Sequence, residues 1–399
     1  MLPRVKILFA GGALGQVVPS PDGCFGLLTT GAPVEGKLEL NKAYAIRKPD
    51  DAFITLGITE ENNPGLHKAI TEFYNEAGEG VKLWIKLFAE AITMTQMVTL
   101  ATANAAKDLL LEAGGEIRAL FIHRTPAESY APVIAGGLDG DVATARAAAQ
   151  LLGEWSMDTF KAPIFIVISG LFYSGSPADL TNLTTEENDR VAIFIGDTVS
   201  GDGCAIGLIA GRLARIPVQR NIGRVKDSAI ITISPAFAGD VSIETADPES
   251  IHDKGYITLR SHVGLAGYYF TDDVLAIAQT DDYSHITHRR TIDKAVRIAN
   301  TIMLQELLEE IPVNGQGQVS VTYAKSLETL IENAIINNMT ANAELGNDPS
   351  DQNDTGVECY VDITQNIVST GRLNVKLRVK PYGYARYIDV ELGFKKINS

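Results

Sequence analysis

A chain of 399 residues is too long for one small core and implies two or three domains. With 45% apolar and 21% charged residues it has the composition of an ordinary soluble folded chain, not of a disordered one. Its formal charge of −15 argues against a nucleic-acid binder, which needs a basic face. Cys24, Cys204 and Cys359 are odd in number, far apart, and form no Cys-X-X-Cys pair. Neither a disulfide framework nor a thiolate zinc site is expected, and a reducing compartment fits. The apolar runs Ile7–Ala10 and Ala162–Tyr173 are too short for a signal-peptide core or a bilayer span, so the chain reads as cytoplasmic where it is made, with no membrane insertion.

Residues 1–15 read as an arm, with Val5, Ile7 and Phe9 alternating with Lys6 and Leu8 before Gly11, Gly12 and Gly15 loosen the backbone. This is either an ordinary first strand and loop, or a strand that pairs with another subunit. Residues 16–90 form an α+β region. Strands are expected at Cys24–Thr30, Tyr44–Arg47 and Val81–Phe88. Between them a helix starts at Asn63-Pro64, buries Leu66, Ile70, Phe73 and Tyr74, and ends at Gly78.

Residues 91–250 alternate in type. A helix runs from Thr95 to about Ala113, closed by Gly114-Gly115, and others span Asp141–Thr159 and Gly203–Ile216. Strands are expected over Ile117–His123, Pro163–Ser169, Arg190–Ile195 and Ser228–Ser234. This alternation predicts an α/β layer with a largely parallel sheet. Arg212, Arg215, Arg220, Arg224 and Lys226 make a basic cluster in an acidic chain. It is either solvated surface or a contact for an acidic neighbour.

Residues 251–370 open with an extended run, Tyr256–Arg260, and a loop through Gly264 and Gly267. After Asp281-Asp282 comes a long helix whose Ile292, Ala295, Val296, Ala299, Met303 and Leu307 face a core, and which stops before Pro312. Arg289, Arg290, Asp293 and Arg297 fall mostly on its other face, as exposed i,i+4 pairs. A short strand is expected at Gln318–Tyr323. A helix capped by Ser326 follows, with Leu327, Leu330, Ile331, Ala334, Ile335 and Met339 on one face, then a loop over residues 341–355 and a strand at Val357–Ile363.

Residues 371–399 form a C-terminal β arm. Leu373, Val375, Leu377 and Val379 alternate with Asn374, Lys376, Arg378 and Lys380; Ile388, Val390, Leu392 and Phe394 alternate with Asp389 and Glu391. Such an ending is either a closing antiparallel meander or a strand lent to a neighbouring chain by β-augmentation.

Reactive constellations are sparse. The run Gly11–Gly15 lacks the Gly-Lys-Ser/Thr ending of a phosphate loop, and Gly201-Asp202-Gly203 reads as a tight turn. Asp281, Asp282, His285 and His288 are the best metal-like grouping, but acids before a helix are explained by its dipole. Ser169 ends a strand without an identifiable base. No catalytic, cofactor or metal residue is assigned, and no cofactor is expected.

Three stretches carry a resemblance. These are AITEFYNEAGEGVKLWIKLF (69–88), LIAGRLARIPVQRNIGRVKDSAI (208–230), and Gly255–Glu310 with its glycine loop and Arg289-Arg290 helix. In this order, with a β-rich ending, they resemble contractile phage tail sheath proteins, and more narrowly a sheath-like family of largely uncharacterised members. Gly114–Gly201 matches no sheath motif. The resemblance implies a multidomain α/β and α+β fold: an alternating α/β middle, a C-terminal domain of helices and antiparallel strands, and extended terminal arms. It also implies a structural subunit, not an enzyme. Copies would form hexameric rings stacked helically around an inner tube protein, with baseplate proteins as further partners, in a virion tail or injection particle. Contraction would be an interface rearrangement, and at least one arm would exchange strands. The candidate inter-subunit strands hold Val5, Ile7, Phe9, Leu373, Val375, Leu377, Val379, Ile388, Val390 and Leu392. The candidate charged interface adds Arg289 and Arg290 to the basic cluster. An α/β nucleotide-binding protein or enzyme, and a non-contractile tail or baseplate scaffold, are the alternatives.

Overall fold

Phe25–Thr30 (β1), Ala43–Ile46 (β2), Leu83–Phe88 (β3), Ala119–Ile122 (β4), Phe165–Ser169 (β5) and Val191–Phe194 (β6) are the long apolar strands of the sequence. In the computed structural model, which describes residues 21–127, 129–230, 235–351 and 353–393, they form one sheet in the order β2-β3-β1-β4-β5-β6. All are parallel except the edge strand β2. Every residue of β1, β4, β5 and β6 is buried, because helices cover both faces of the sheet. The chain moves from β1 outward to β3, then back across β1 to β4, which makes a doubly wound layer. The expected boundary near residue 90 thus falls between strands of one sheet.

On one face Pro64–Ala77 (α1) packs along Ile206–Arg215 (α5). A Cβ on Gly207 would meet the Ala69 carbonyl oxygen at 2.1 Å, and one on Gly211 the Phe73 oxygen at 2.5 Å. The small residues at these positions let the two backbones touch. Asn63 precedes α1 as expected, but its side chain does not cap it. Its Oδ1 accepts the Ala32 N–H at 2.9 Å and its Nδ2 donates to the Ala32 carbonyl at 3.0 Å, tying α1 to the loop after β1.

The helix expected over Thr95–Ala113 is two, Met94–Val98 (α2) and Ala106–Glu112 (α3), with Asn104 at φ +57° between them. Asp141, at the start of Gly140–Asp158 (α4), accepts the N–H groups of Met94 (2.7 Å) and Thr95 (3.1 Å) and so fixes where α2 begins. The Thr99 hydroxyl bonds back to the Thr95 carbonyl, a local alternative to helix continuation. Of the expected strand Ser228–Ser234, residues 228–230 are in no strand and the rest lies outside the described residues. After Pro248–Asp253 (α6), Ile257 bonds both Ile193 and Ile195 and lies along the edge of β6. Leu259–Ser261 (β7) and Tyr268–Phe270 (β8) then pair around the Gly264 and Gly267 loop.

The chain divides into two compact units between Arg297 and Ile298, inside the helix Ile286–Met303 (α7). The expected burial of α7 is corrected in two ways. Met303 and Leu307 are exposed, and the helix ends at Met303. Arg289, Arg290 and Asp293 are buried instead. They have partners distant in sequence: Arg289 bonds Asp189, Arg290 the Ile216 carbonyl, and Asp293 pairs with Arg190 at 3.1 Å. The expected Arg289–Asp293 pair is present at 3.9 Å, though buried, while Arg297 turns to Asp22 at 2.5 Å.

In the second unit, Val321–Asn338 (α8) starts five residues before Ser326, so the strand expected at Gln318–Tyr323 reduces to single bridges at Gln318 and Val319. Helix α8 buries Ala324, Leu327, Ile331 and Ile335 and packs on Val357–Val361 (β9), while Leu330 is exposed. Strand β9 pairs antiparallel with Val375–Val379 (β10), Cys359 opposite Leu377.

Candidate assembly interface

The β9–β10 hairpin has two edges with different chemistry. Lys380 N–H bonds the Gly356 carbonyl and Asp362 N–H bonds that of Asn374. In an antiparallel ladder the bonded pairs alternate, so the N–H groups of Val357, Cys359 and Val361, and of Val375, Leu377 and Val379, all point outward. On β9, carboxylates of α8 take two of them: Glu332 accepts Cys359 N–H at 2.8 Å and Glu328 accepts Val361 N–H at 2.9 Å. That edge is closed. On β10, no acceptor among the described residues meets the N–H groups of Val375, Leu377 and Val379. Its outward side chains Lys376 and Arg378 are exposed, while the apolar set is half-buried.

Beyond β10, residues 381–393 form no helix or strand. Ile388, Val390 and Leu392 stand 77%, 78% and 94% exposed, with Asp389 and Glu391 between them. The third expected strand therefore has no partner within the described residues, although its alternation is intact. Val5, Ile7 and Phe9 lie outside the described residues.

The candidate charged interface is spread over different surroundings. Arg212 is 2% exposed and sits inside the first unit, its Nε on Glu76 at 2.9 Å and its amino groups on the carbonyls of Asp227, Ser228 and Ala229. Arg289 and Arg290 are likewise internal. Arg220 and Arg224 both pair with Asp227. Arg215, Arg224 and Lys226 are exposed. The amphipathic rule assigns charge to solvent; nothing in local spacing marks Glu76 or Asp189 as interior partners.

A crevice of about 420 Å³ opens at the carboxyl ends of β4, β5 and β6. His123 and Ser169 meet beside it, Nδ1 to Oγ at 2.9 Å, so Ser169 has the base partner that the sequence did not reveal. Both side chains are buried, Ser169 completely. Burial, with Lys68 nearby, pushes the imidazole down to about 4, and burial pushes the Cys204 thiol up to about 12. No carboxylate among the described residues bonds the His123 ring. A serine without access is a core hydrogen-bonding group, not a nucleophile.

Of the expected metal-like grouping, His288 bonds the Asp282 carbonyl and Asp281 accepts Tyr283 N–H. His285 instead meets Asp272 and Asp273, three buried ligand groups within 4.8 Å. Protein donors already fill much of this trio. Asn221 Nδ2 donates to both carboxylates, and Thr287 N–H to Asp273 at 2.7 Å, so Asp273 acts as a remote cap for α7.

Residues 2–274 match the N-terminal domain model of the DUF2586 family, and residues 282–399 match its C-terminal domain model. The chain belongs to the DUF2586 family. No curated protein matches this DUF2586 chain in sequence. Among solved structures it is similar to the helical sheath of the anti-feeding prophage in the contracted state, at 17% identity and TM-score 0.64 over 98% of this chain and 99% of that one. It is also similar to a chain of the six-fold symmetrised anti-feeding prophage baseplate (17%, 0.62, 99% of each chain). A third likeness is to the contracted sheath complex of the extracellular contractile injection system PVC (13%, 0.54, 98% and 97%). The DUF2586 chain thus has the contractile-sheath fold over nearly its whole length.

Proposed function

We propose that this protein is the structural subunit of a contractile sheath. Copies join through the open edge of β10, which receives the residue 387–393 arm of another copy. The observation that carries the reading is the asymmetry of the hairpin: one edge is stoppered by Glu328 and Glu332, the other is open beside a basic row. The unpartnered arm supplies the complement. Pairing it with β10 would set Ile388, Val390 and Leu392 on the apolar side and Asp389 and Glu391 beside Lys376 and Arg378. The family and the fold shared with sheath chains support it. Rings of copies would stack around an inner tube and meet a baseplate. Contraction would be a change between two packings of rigid units, with the strand pairings keeping the copies connected. The reading requires no bond chemistry.

Two variants test it by negative-stain electron microscopy at high protein concentration, with far-UV circular dichroism as the folding check. Deleting residues 384–399 removes the arm and keeps the hairpin. Leu377→Pro removes an outward N–H and leaves the bonds to β9. Rings or tubes from the wild-type chain and folded, unassembled protein from both variants are expected. Wild-type-like polymers from either variant would refute the strand exchange.

A further inference from the structure

The crevice at the carboxyl ends of β4–β6 contains a buried cation that no carboxylate among the described residues pairs with. Of its other charged groups, Lys68 sits between Glu72 at 2.9 Å and Asp197 at 2.5 Å, and Asp202 is an exposed carboxylate; the Tyr130 hydroxyl donates to Asp139 at 2.7 Å. Arg124 is different. It is 5% exposed and lines the crevice, its Nε is buried without an acceptor, and no carboxylate among the described residues pairs with it. Its guanidinium carbon lies 4.2 Å from the centre of the Tyr130 ring, which orients the planar group without cancelling its charge. A buried, unpaired cation is costly unless something anionic joins it.

A second feature faces the same space. Gly65, in the first turn of α1, lines the crevice. Pro64 has no N–H, and Asn63 is committed to Ala32, so the N–H groups of Gly65 and Leu66 lack a side-chain cap. The uncapped start of a 14-residue helix attracts negative charge. The crevice also occupies the place where open parallel sheets bind ligands, and its volume falls in the range of small-molecule sites. Phe172, Leu171 and Pro126 supply apolar wall, and Asp202 supplies a carboxylate for a donor group.

We propose that this crevice binds a small organic anion through a phosphate or carboxylate group. Arg124 and the first N–H groups of α1 hold the anionic oxygens. The body of the ligand lies against Phe172 and Leu171, with a hydroxyl or amino group toward Asp202. None of its residues belongs to the strand-exchange surface.

Titration calorimetry on the full chain tests this with four probes: AMP, inorganic phosphate, citrate and adenosine. Saturable binding of AMP or citrate is expected, with weaker binding of inorganic phosphate and none of adenosine. AMP preferred over citrate identifies a phosphate ligand, and the reverse a carboxylate. Arg124→Gln should weaken the preferred probe at least about tenfold, while Arg124→Lys keeps part of the affinity. Hydrogen exchange on the wild-type chain locates the effect without any variant: the preferred probe should slow exchange at residues 65–68 and 123–127. The proposal is overturned by adenosine matching AMP, by no saturable binding of any anion, by undiminished binding in folded Arg124→Gln, or by protection confined elsewhere.

Discussion

His123 shows how one buried side chain ties stability to pH. It is packed between the end of β4 and Ser169, with Lys68 of α1 and Asp197 beyond β6 as its charged neighbours. Burial, reinforced by Lys68 and opposed by Asp197, holds the ring at about 4, against about 6.5 in the unfolded chain. The unfolded state therefore takes up the proton first as pH falls. The stability from keeping His123 neutral is complete above about 6.5 and is lost as pH falls toward 4, in total roughly 3 kcal/mol. Asp273 has the opposite sign. Burial and the Asp272 carboxylate push it up to about 7 from an ordinary value of 3.8, so its contribution is complete below that ordinary value, is lost as pH rises from there to about 7, and opposes that of His123 over the same window. Replacing His123 by Asn should flatten the acid limb of a stability–pH profile measured by urea unfolding between pH 4 and 7. Because Asp273 is common to both chains, the difference between the two profiles isolates His123: profiles that run parallel between pH 6.5 and 4 would show that the ring is not held neutral.

At the scale of elements, the α1–α5 contact is the tightest constraint and the easiest to break. Gly207 and Gly211 lie against the backbone of α1, not against movable side chain ends, so an added side chain cannot be absorbed by a rotamer change. One position on, Arg212 bonds Glu76 of α1 and closes three carbonyls of the following loop. Gly211→Leu should lower unfolding free energy by at least about 3 kcal/mol through overpacking. Gly114→Ala, at a positive φ but with open space around its Cβ, should cost only about 1 kcal/mol. Thermal unfolding of the two variants checks the ranking. Local pattern made these elements readable. Continuous apolar runs bounded by glycine and proline are what strands buried on both faces look like, and β1 and β3–β6 all fall within the expected stretches. The same rule misled at α7, where Arg289, Arg290 and Asp293 are interior because Asp189 and Arg190 come to meet them. It also misplaced the start of α8, since Val321–Lys325 alternates like a strand and only packing on β9 settles its conformation. For the interface, the alternation of Leu373–Lys380 and Ile388–Leu392 was legible. That one edge of the hairpin is closed was not, because Glu328 and Glu332 become its stoppers only once α8 lies across β9.

For the whole molecule, the proposed coupling combines two kinds of interaction with different salt behaviour. Main-chain bonds along β10 do not depend on ionic strength, but attraction between the row Lys376, Arg378 and the pair Asp389, Glu391 is screened over about 8 Å at physiological salt. A net charge of −15 also makes copies repel at long range, which the local basic row offsets at the point of contact. Charge exchange separates this pairing from generic self-association. Lys376→Glu with Arg378→Glu places acid against acid and should abolish assembly. Asp389→Lys with Glu391→Lys places base against base and should do the same. Carrying all four substitutions restores opposite signs with the roles reversed, and that chain should assemble again. Sedimentation velocity at low and high salt reads the outcome. If both double variants assemble like the wild type, or the quadruple chain stays folded and monomeric, the arm does not dock on β10. If both double variants assemble only at high salt, docking at this edge holds through the main-chain bonds, and the charges select the partner.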